Sequence, residues 1–529
     1  MRRGLVILAC LAGSTMAVLG LTQGLSAHAG HYELVRPLRN LDTTIEPLWR
    51  IAEVSRGLYD DVSLAIYENP IAKPRMASTS SAAFVTYHVL TNCGWISEPV
   101  LAGEHAFLAV STEDVPHIAY QKPGPTVWYT TLSGGTWVTD LVGATKANLP
   151  SLVLNSAGYP RLAYQDPRST VNIGRGTLYS EWTSTAWITQ TVDKTVVGCG
   201  DDCTRVNVAL NSEGAPRLAY FDLNGLTVKY AARTGLSTWA TEVVATYGRA
   251  PDIAIGSNGV PHIAFIYGTL YGPDGVRYAV RRDGAWSAES VDSGPYTAPS
   301  VAVDVNNNPH LAYCDTRAAP PDGQGTGLRY AYRTSSGWVV QTLDTAACSN
   351  VSLALDRIGN AHIGYIDPGG QLKYLRWSGP WSVELSATGG ALTSPDDGTL
   401  VEIPAKAFTE TVVLYHTPVM PWTLPIDSVH RSIGHGFDLT AVYSSTGTAA
   451  HIATGTHYTI TVPYQESELG FVDEQLLALY SWDGGEWQKE TGSQVDPLAN
   501  TVSAHPDHFS LWALLGDVRR VYVPLVMRQ

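Results

Sequence analysis

The chain has 529 residues and a formal net charge of −14, with only 16% charged residues. That acidic balance argues against nucleic acid as a partner, and the length exceeds one ordinary domain. Plentiful Gly, Pro, Trp and Tyr set against so few charges is the composition of a β-rich extracellular protein with many tight turns.

The opening "MRRGLVILACLAGSTMAVLGLTQGLSAHAG" has two arginines, an apolar run and Ala-His-Ala before Gly30. It predicts a signal peptide over residues 1–29, cleaved after Ala29, and so a secreted or cell-surface location. A lipobox at Cys10 would leave about four apolar residues before the cysteine, too few for a signal's apolar region. No later run reaches the roughly 18 apolar residues that a membrane helix needs. Cleavage leaves Cys93, Cys199, Cys203, Cys314 and Cys348. An odd number in an oxidising compartment leaves one thiol unpaired or intermolecular.

After a lead-in over 30–47, a unit of roughly 45 residues recurs across 48–387. Its core is a Pro-(His/Arg)-apolar-Ala phrase, as in "EDVPHIAYQK", "SEGAPRLAYFD" and "NNNPHLAYCD". Ahead of each phrase lies a strand such as "SLVLNS" or "SVAVDV". After it comes a strand bearing Tyr87, Tyr129, Tyr179, Tyr230, Tyr278, Tyr330 or Tyr374, then a strand opening with a tryptophan. Short turns such as "RDGA" join the last two strands and favour antiparallel hairpins over a parallel solenoid. One four-stranded sheet cannot bury both faces, so the units should pack radially as a seven-bladed β-propeller, the tryptophan wedged between blades. "LWRIAEV" at Leu48–Val54 reads as an outer strand without a blade of its own. Either it or the Trp381 segment completes blade seven, and the other is surplus.

The turn-then-tryptophan feature, in "LSGGTW" and "RDGAW", resembles the degenerate Asp-box repeats of secreted bacterial propellers in the sialidase-like superfamily. The aspartate of the Asp box is kept only at Asp283, and the Arg-Ile-Pro motif that opens sialidase domains is absent. The resemblance spans about residues 48–387 and implies the propeller fold. From residue 388 the period stops, and "FDLTAVYS", "HYTITVPY" and "HFSLWALLG" alternate as in a β-sandwich over 388–516. Here "DGTLVEIPAKAF" and "DHFSLWALL" resemble ZU5-like bacterial surface modules, which implies a non-catalytic accessory. The tail 517–529 reads either as a sorting or attachment segment or as a last strand.

The fold class expected is therefore all-β, a propeller followed by a sandwich. Arg75, His117, Arg161, Arg217, His262, His310 and His362 occupy one repeat position, which predicts packing or hydrogen bonding to the adjacent turn rather than an anion pore. Asp166, Asp222, Asp315 and Asp367 end the second strands and should cap the turns that follow. The long insertions all follow a second strand or precede a first one, so they decorate one face, where binding tends to sit. Candidate ligand-binding residues there are Asp166, Arg168, Arg175, Arg205, Tyr267, Tyr271, Asp315, Arg317 and Asp322. Cys199 with Cys203, and Cys314 with Cys348, are the disulfide candidates, leaving Cys93. The cysteine spacing does not suit zinc, and the Asp-Gly turns lack calcium's oxygen spacing, so no metal or cofactor is expected. The expected function is non-catalytic recognition of an extracellular glycan or protein. The alternative is a glycan-active hydrolase or lyase using a carboxylate pair on the same face.

Overall fold

The structure, a computed structural model, describes residues 48–517 except 69–71, 92–93, 123, 125, 144–147, 167–175, 195–204, 270–271, 317–326, 335–336, 358, 379–380, 395–396, 420–423, 425–429 and 470–471. The signal peptide, lead-in and tail beyond residue 517 lie outside the described residues, as do Cys93, Cys199 and Cys203. Two compact units divide between Arg376 and Trp377. Among the described residues, no helix is long and apolar enough to cross a membrane.

Among the described residues, the first unit contains seven sheets of four strands each. Their first strands are Tyr59–Glu68, Glu104–Val110, Asn148–Leu154, Val206–Leu210, Gly248–Ile255, Ser300–Val303 and Asn350–Leu355. Each packs on the next, and the last returns to the first, so the sheets close a ring around these inner strands. This is an all-β propeller. The second strands are covered on both faces, which is why they read as unbroken apolar phrases; every residue of Pro309–Asp315 is buried. The outermost strands are far more exposed, as in Trp239–Thr246, where only Val244 is buried.

The seams between blades are held in up to three layers. Along the inside of four of them, a serine accepts a backbone N–H from the next blade. Ser63 accepts from Leu108 at 2.9 Å, Ser151 from Val208 at 3.1 Å, Ser300 from Leu353 at 3.1 Å and Ser352 from Leu64 at 3.0 Å. In the middle, apolar clusters straddle two blades, as where Val127, Tyr129 and Val142 meet Leu152, Leu162 and Tyr164. On the outside, the repeat tyrosine meets the tryptophan of the following blade edge-on. Tyr179 and Trp239 have ring centroids 5.3 Å apart, Tyr230 and Trp286 5.2 Å, and Tyr278 and Trp338 5.2 Å. The tryptophan is thus the wedge that the repeat predicts. Its indole N–H also reaches a glutamate three residues into the preceding blade's outer strand, Trp286 to Glu242 at 2.8 Å and Trp338 to Glu289 at 3.1 Å.

Ring closure resolves the surplus strand. Leu48–Ser55 takes the outer edge of blade seven beside Leu372–Ser378, while Trp381–Leu385 pairs with Val412–Pro418 in the second unit. The sandwich therefore begins with the Trp381 strand, earlier than the boundary after 387 expected from the loss of period. At the closing seam Trp95 and Tyr374 lie 5.2 Å apart. There Gly364 replaces the alanine of the repeat, because an added Cβ would come within 2.8 Å of the Met76 sulfur from blade one.

The second unit is a sandwich of a six-stranded and a five-stranded sheet. Its core joins Val401, Phe408, Leu414, Phe437, Ile460, Val462, Trp512 and Leu514 from the two layers. Within it His435, 2% exposed, lies 3.1 Å from the Glu468 carboxylate and 3.8 Å from Asp397.

Candidate functional site

Antiparallel blades send the turns after strands one and three to one end of the ring, and the loops after strands two and four to the other. At the short-turn end the basic repeat residues bond mostly within the fold. His262 and His310 bond through Nδ1 to the Tyr278 and Tyr330 hydroxyls at 2.5 Å, and His362 bonds to Tyr374 at 2.6 Å. His117 makes the same bond to Tyr129. The other imidazole nitrogen of His362 faces Asp356, which sits at the turn after its own first strand, at 3.5 Å. Arg75 bonds bidentately to Asp114 at the corresponding turn of the next blade, at 3.1 and 2.7 Å. The basic repeat position is structural, and the third-strand tyrosine is a partner that the turn-directed expectation omitted. Burial holds His88 down at about 3, and His117 and His262 at about 4.

At the loop end, three blades carry the same latch. In blade four, the buried Tyr220 hydroxyl donates to Asp193 of blade three at 2.8 Å, and Lys229 sits 3.1 Å from Asp193 and 2.8 Å from Asp222. In blade seven, Tyr365 donates to Asp344 at 2.7 Å, and Lys373 lies between Asp344 and Asp367 at 3.7 and 3.4 Å. In blade six, Tyr313 donates to Asp292 at 3.0 Å, and Arg329 meets the fully buried Asp315 at 3.2 Å. Burial first, and the bonded aspartate next, push all three tyrosines far above the ordinary phenol range. Of the aspartates that end the second strands, Asp222 and Asp367 cap turns, Asp222 accepting the N–H of Asn224 at 3.2 Å and Asp367 those of Gly369 and Gln371 at 2.9 Å, while the turns after Asp166 and Asp315 lie outside the described residues. Asp222, Asp315 and Asp367 also neutralise the third-strand cation.

Blade five departs from this pattern at each of its parts. Phe265 stands where the latch tyrosine would be, and Tyr267 stands where Asp222 and Asp315 stand, as the strand registers show. The preceding blade ends its outer strand in Ala245 and Thr246 rather than an aspartate. The cation remains, as Arg277 opposite Phe265. Its guanidinium carbon lies 3.5 Å from the centre of the Tyr267 ring, and it makes no ion pair among the described residues. At the same end of the blade, Tyr247 precedes the first strand, is 53% exposed, and its backbone carbonyl accepts the N–H of Gly268 at 2.8 Å. Its φ of 56° is a left-handed conformation that costs a non-glycine residue about 1–3 kcal/mol and gathers at functional sites.

Of the other candidates, Arg205 precedes the blade-four inner strand, where its charge opposes the burial that raises Asp252. Asp252 fills the inner-seam position of the serines, and its carboxylate accepts the N–H groups of Ile253 and Val301 at 2.9 and 2.8 Å. Asp166 is buried at the end of its strand. Arg168, Arg175, Tyr271, Arg317 and Asp322 lie outside the described residues. Cys314 and Cys348 are bonded, with Cα atoms 5.4 Å apart, tying a second-strand end to the next inter-blade loop. No group of His, Cys, Asp and Glu among the described residues could hold a metal ion. Tyr247 and Arg277 are the residues that sequence reasoning missed. The signal was present in the third strands: "VKY", "VRY", "LRY" and "LKY" all keep a cation, while the facing phrase changes from "YFD", "YCD" and "YID" to "FIY".

No family model matches the sequence, and a search of curated proteins matches none. Among solved structures, the fucose-specific lectin from Aleuria aurantia is similar over 55% of this chain and 96% of its own, at 13% identity and a TM-score of 0.37. A protein of unknown function from Dyadobacter fermentans is similar over 62% of this chain and 98% of its own, at 12% identity and a TM-score of 0.37. The Hadza microbial sialidase Hz136 is similar over 58% of this chain and 73% of its own, at 10% identity and a TM-score of 0.36. The fold assignment stands on the closed cycle of sheets rather than on these likenesses.

Proposed function

We propose that the chain is an exported, non-catalytic, seven-bladed propeller that binds a glycan at or near the cell surface through its loop-rich end. In this reading the repeats are kin to degenerate Asp-box propellers. The sandwich is a ZU5-like module that links the ring to the surface or to further modules. The observation that carries the reading is the blade-five rim, where Arg277 stacks on Tyr267 and the exposed Tyr247 lies at the same strand end. Aromatic faces are negative at the centre and suit the weakly positive C–H faces of sugar rings, and a guanidinium offers several fixed donors to sugar oxygens. The carboxylates of blades four, six and seven at the same end are paired with cations, which suits holding the ring together better than acid–base chemistry.

The test is a glycan array probed with the full mature chain, alongside a sugar-release assay on mixed polysaccharides. Binding without release supports the proposal. Release would favour the glycan-active hydrolase or lyase, and silence on both would leave a protein ligand or scaffolding.

A further inference from the structure

We infer that the blade-five rim selects an anionic polysaccharide, one bearing uronate or sulfate groups, with Arg277 as the residue that grips the anion. This rests on the glycan-binding reading above and gives it a ligand class. The protein's other blades supply the comparison. Lys229, Arg329 and Lys373 each face at least one carboxylate of their own ring within 3.4 Å. Arg277 holds the equivalent register position, opposite Phe265, as Lys229 is opposite Tyr220 and Arg329 opposite Tyr313. The aspartate of the preceding blade, the aspartate ending blade five's own second strand and the latch tyrosine are all replaced, yet the charge is kept.

A cation kept where its structural partners are gone needs another source of negative charge, or it adds nothing to the seam. Tyr267 fixes the plane of the guanidinium by stacking at 3.5 Å, which leaves the in-plane N–H donors to an incoming group. That fork matches the two oxygens of a carboxylate or sulfate, whereas the neighbouring Tyr247 offers a flat apolar face to the sugar that carries them. Anion and sugar are thus recognised by adjacent groups on one rim.

The experiment uses the full mature chain on an array of uronate-bearing and sulfated oligosaccharides, with their methyl-esterified, desulfated and neutral counterparts. Two variants accompany it. Arg277→Gln removes the grip, and Tyr267→Asp restores the repeat's own carboxylate beside Arg277, occupying the guanidinium from within. Tight binding of one anionic class is expected, weakened about tenfold or more by either variant and by raised salt. The Tyr267→Asp chain should melt no lower than the parent, because the new carboxylate pairs with Arg277 as Asp315 pairs with Arg329. The uronate and sulfate arms identify which anion is preferred. Equal binding of charged and neutral glycans, or variants that bind as tightly as the parent, would overturn the anionic class while leaving glycan binding intact. Equal, Arg277-dependent capture of polyglutamate would overturn the sugar component. Absence of all glycan binding would overturn this inference together with the function proposed above.

Discussion

Ser352 in blade seven accepts the backbone N–H of Leu64 in blade one at 3.0 Å, across 288 positions of sequence. The same bond recurs at other inner seams, so the last blade meets the first as any blade meets its neighbour. Ser352→Ala leaves that N–H partnerless in a part-buried site, which should cost about 1–2 kcal/mol. Removal of residues through Ser55 is expected to do far more, because Leu372–Ser378 becomes an open sheet edge. Size-exclusion chromatography should show association of the truncated chain. A monomer melting at the parental temperature would show that the strand does not close the ring.

Trp95 is 3% exposed and packs on Tyr374 across the closing seam. Trp95→Ala should destabilise the propeller by about 3–5 kcal/mol, in the range of other buried tryptophan truncations. Trp137→Ala, at a more exposed position of the repeat, should cost less. Denaturant unfolding of both variants checks the order, and reversal of it would contradict the packing described here.

The two units should respond to pH in opposite directions. His88, His117 and His262 of the propeller have folded values near 3, 4 and 4, below the unfolded value of about 6.5. Their contribution is present above about pH 6.5 and is lost as pH falls toward the folded values. In the sandwich, burial alone would push His435 down, but Asp397 and Glu468 outweigh it and raise the histidine to about 9. That contribution is full below about pH 6.5 and disappears as pH rises through about 9. Asp397 is held below the ordinary carboxylate range, burial being outweighed by the nearby His435. Hydrogen exchange followed across pH 4–10 should show the propeller loosening at the acid end and the sandwich at the alkaline end. His435→Gln should erase the alkaline loss.

Reduction of Cys314–Cys348 opens a closed loop of 34 residues. It should lower propeller stability by about 2–4 kcal/mol, the usual range for a bridge that constrains the unfolded chain. Calorimetry with and without reductant tests this, and Cys314→Ser should be insensitive to the reductant.

Most of the ring was legible because a repeat turns packing rules into spacing. The tyrosine, tryptophan and seam serine recur where the blades require them. What was not legible is which outer strand completes blade seven. "LWRIAEV" and "WSVEL" carry similar apolar alternation, and an edge strand is recruited by backbone hydrogen bonds that do not read side chains. The site was half legible. Tyr267 stood out by its loop, but Arg277 looks ordinary until the aspartates and tyrosine that should surround it are seen to be missing together.

Leu48–Ser55 is made before any blade, yet the strand it needs, Leu372–Ser378, is translated after nearly the whole ring. The earliest segment must therefore stay uncommitted while its eventual neighbour is still on the ribosome. Joining ends so distant in sequence carries an entropic cost that grows only slowly with length, but it delays the step on which the whole circle depends. Assembly of this protein should thus behave as a single late event, exposed until then to capture by other chains.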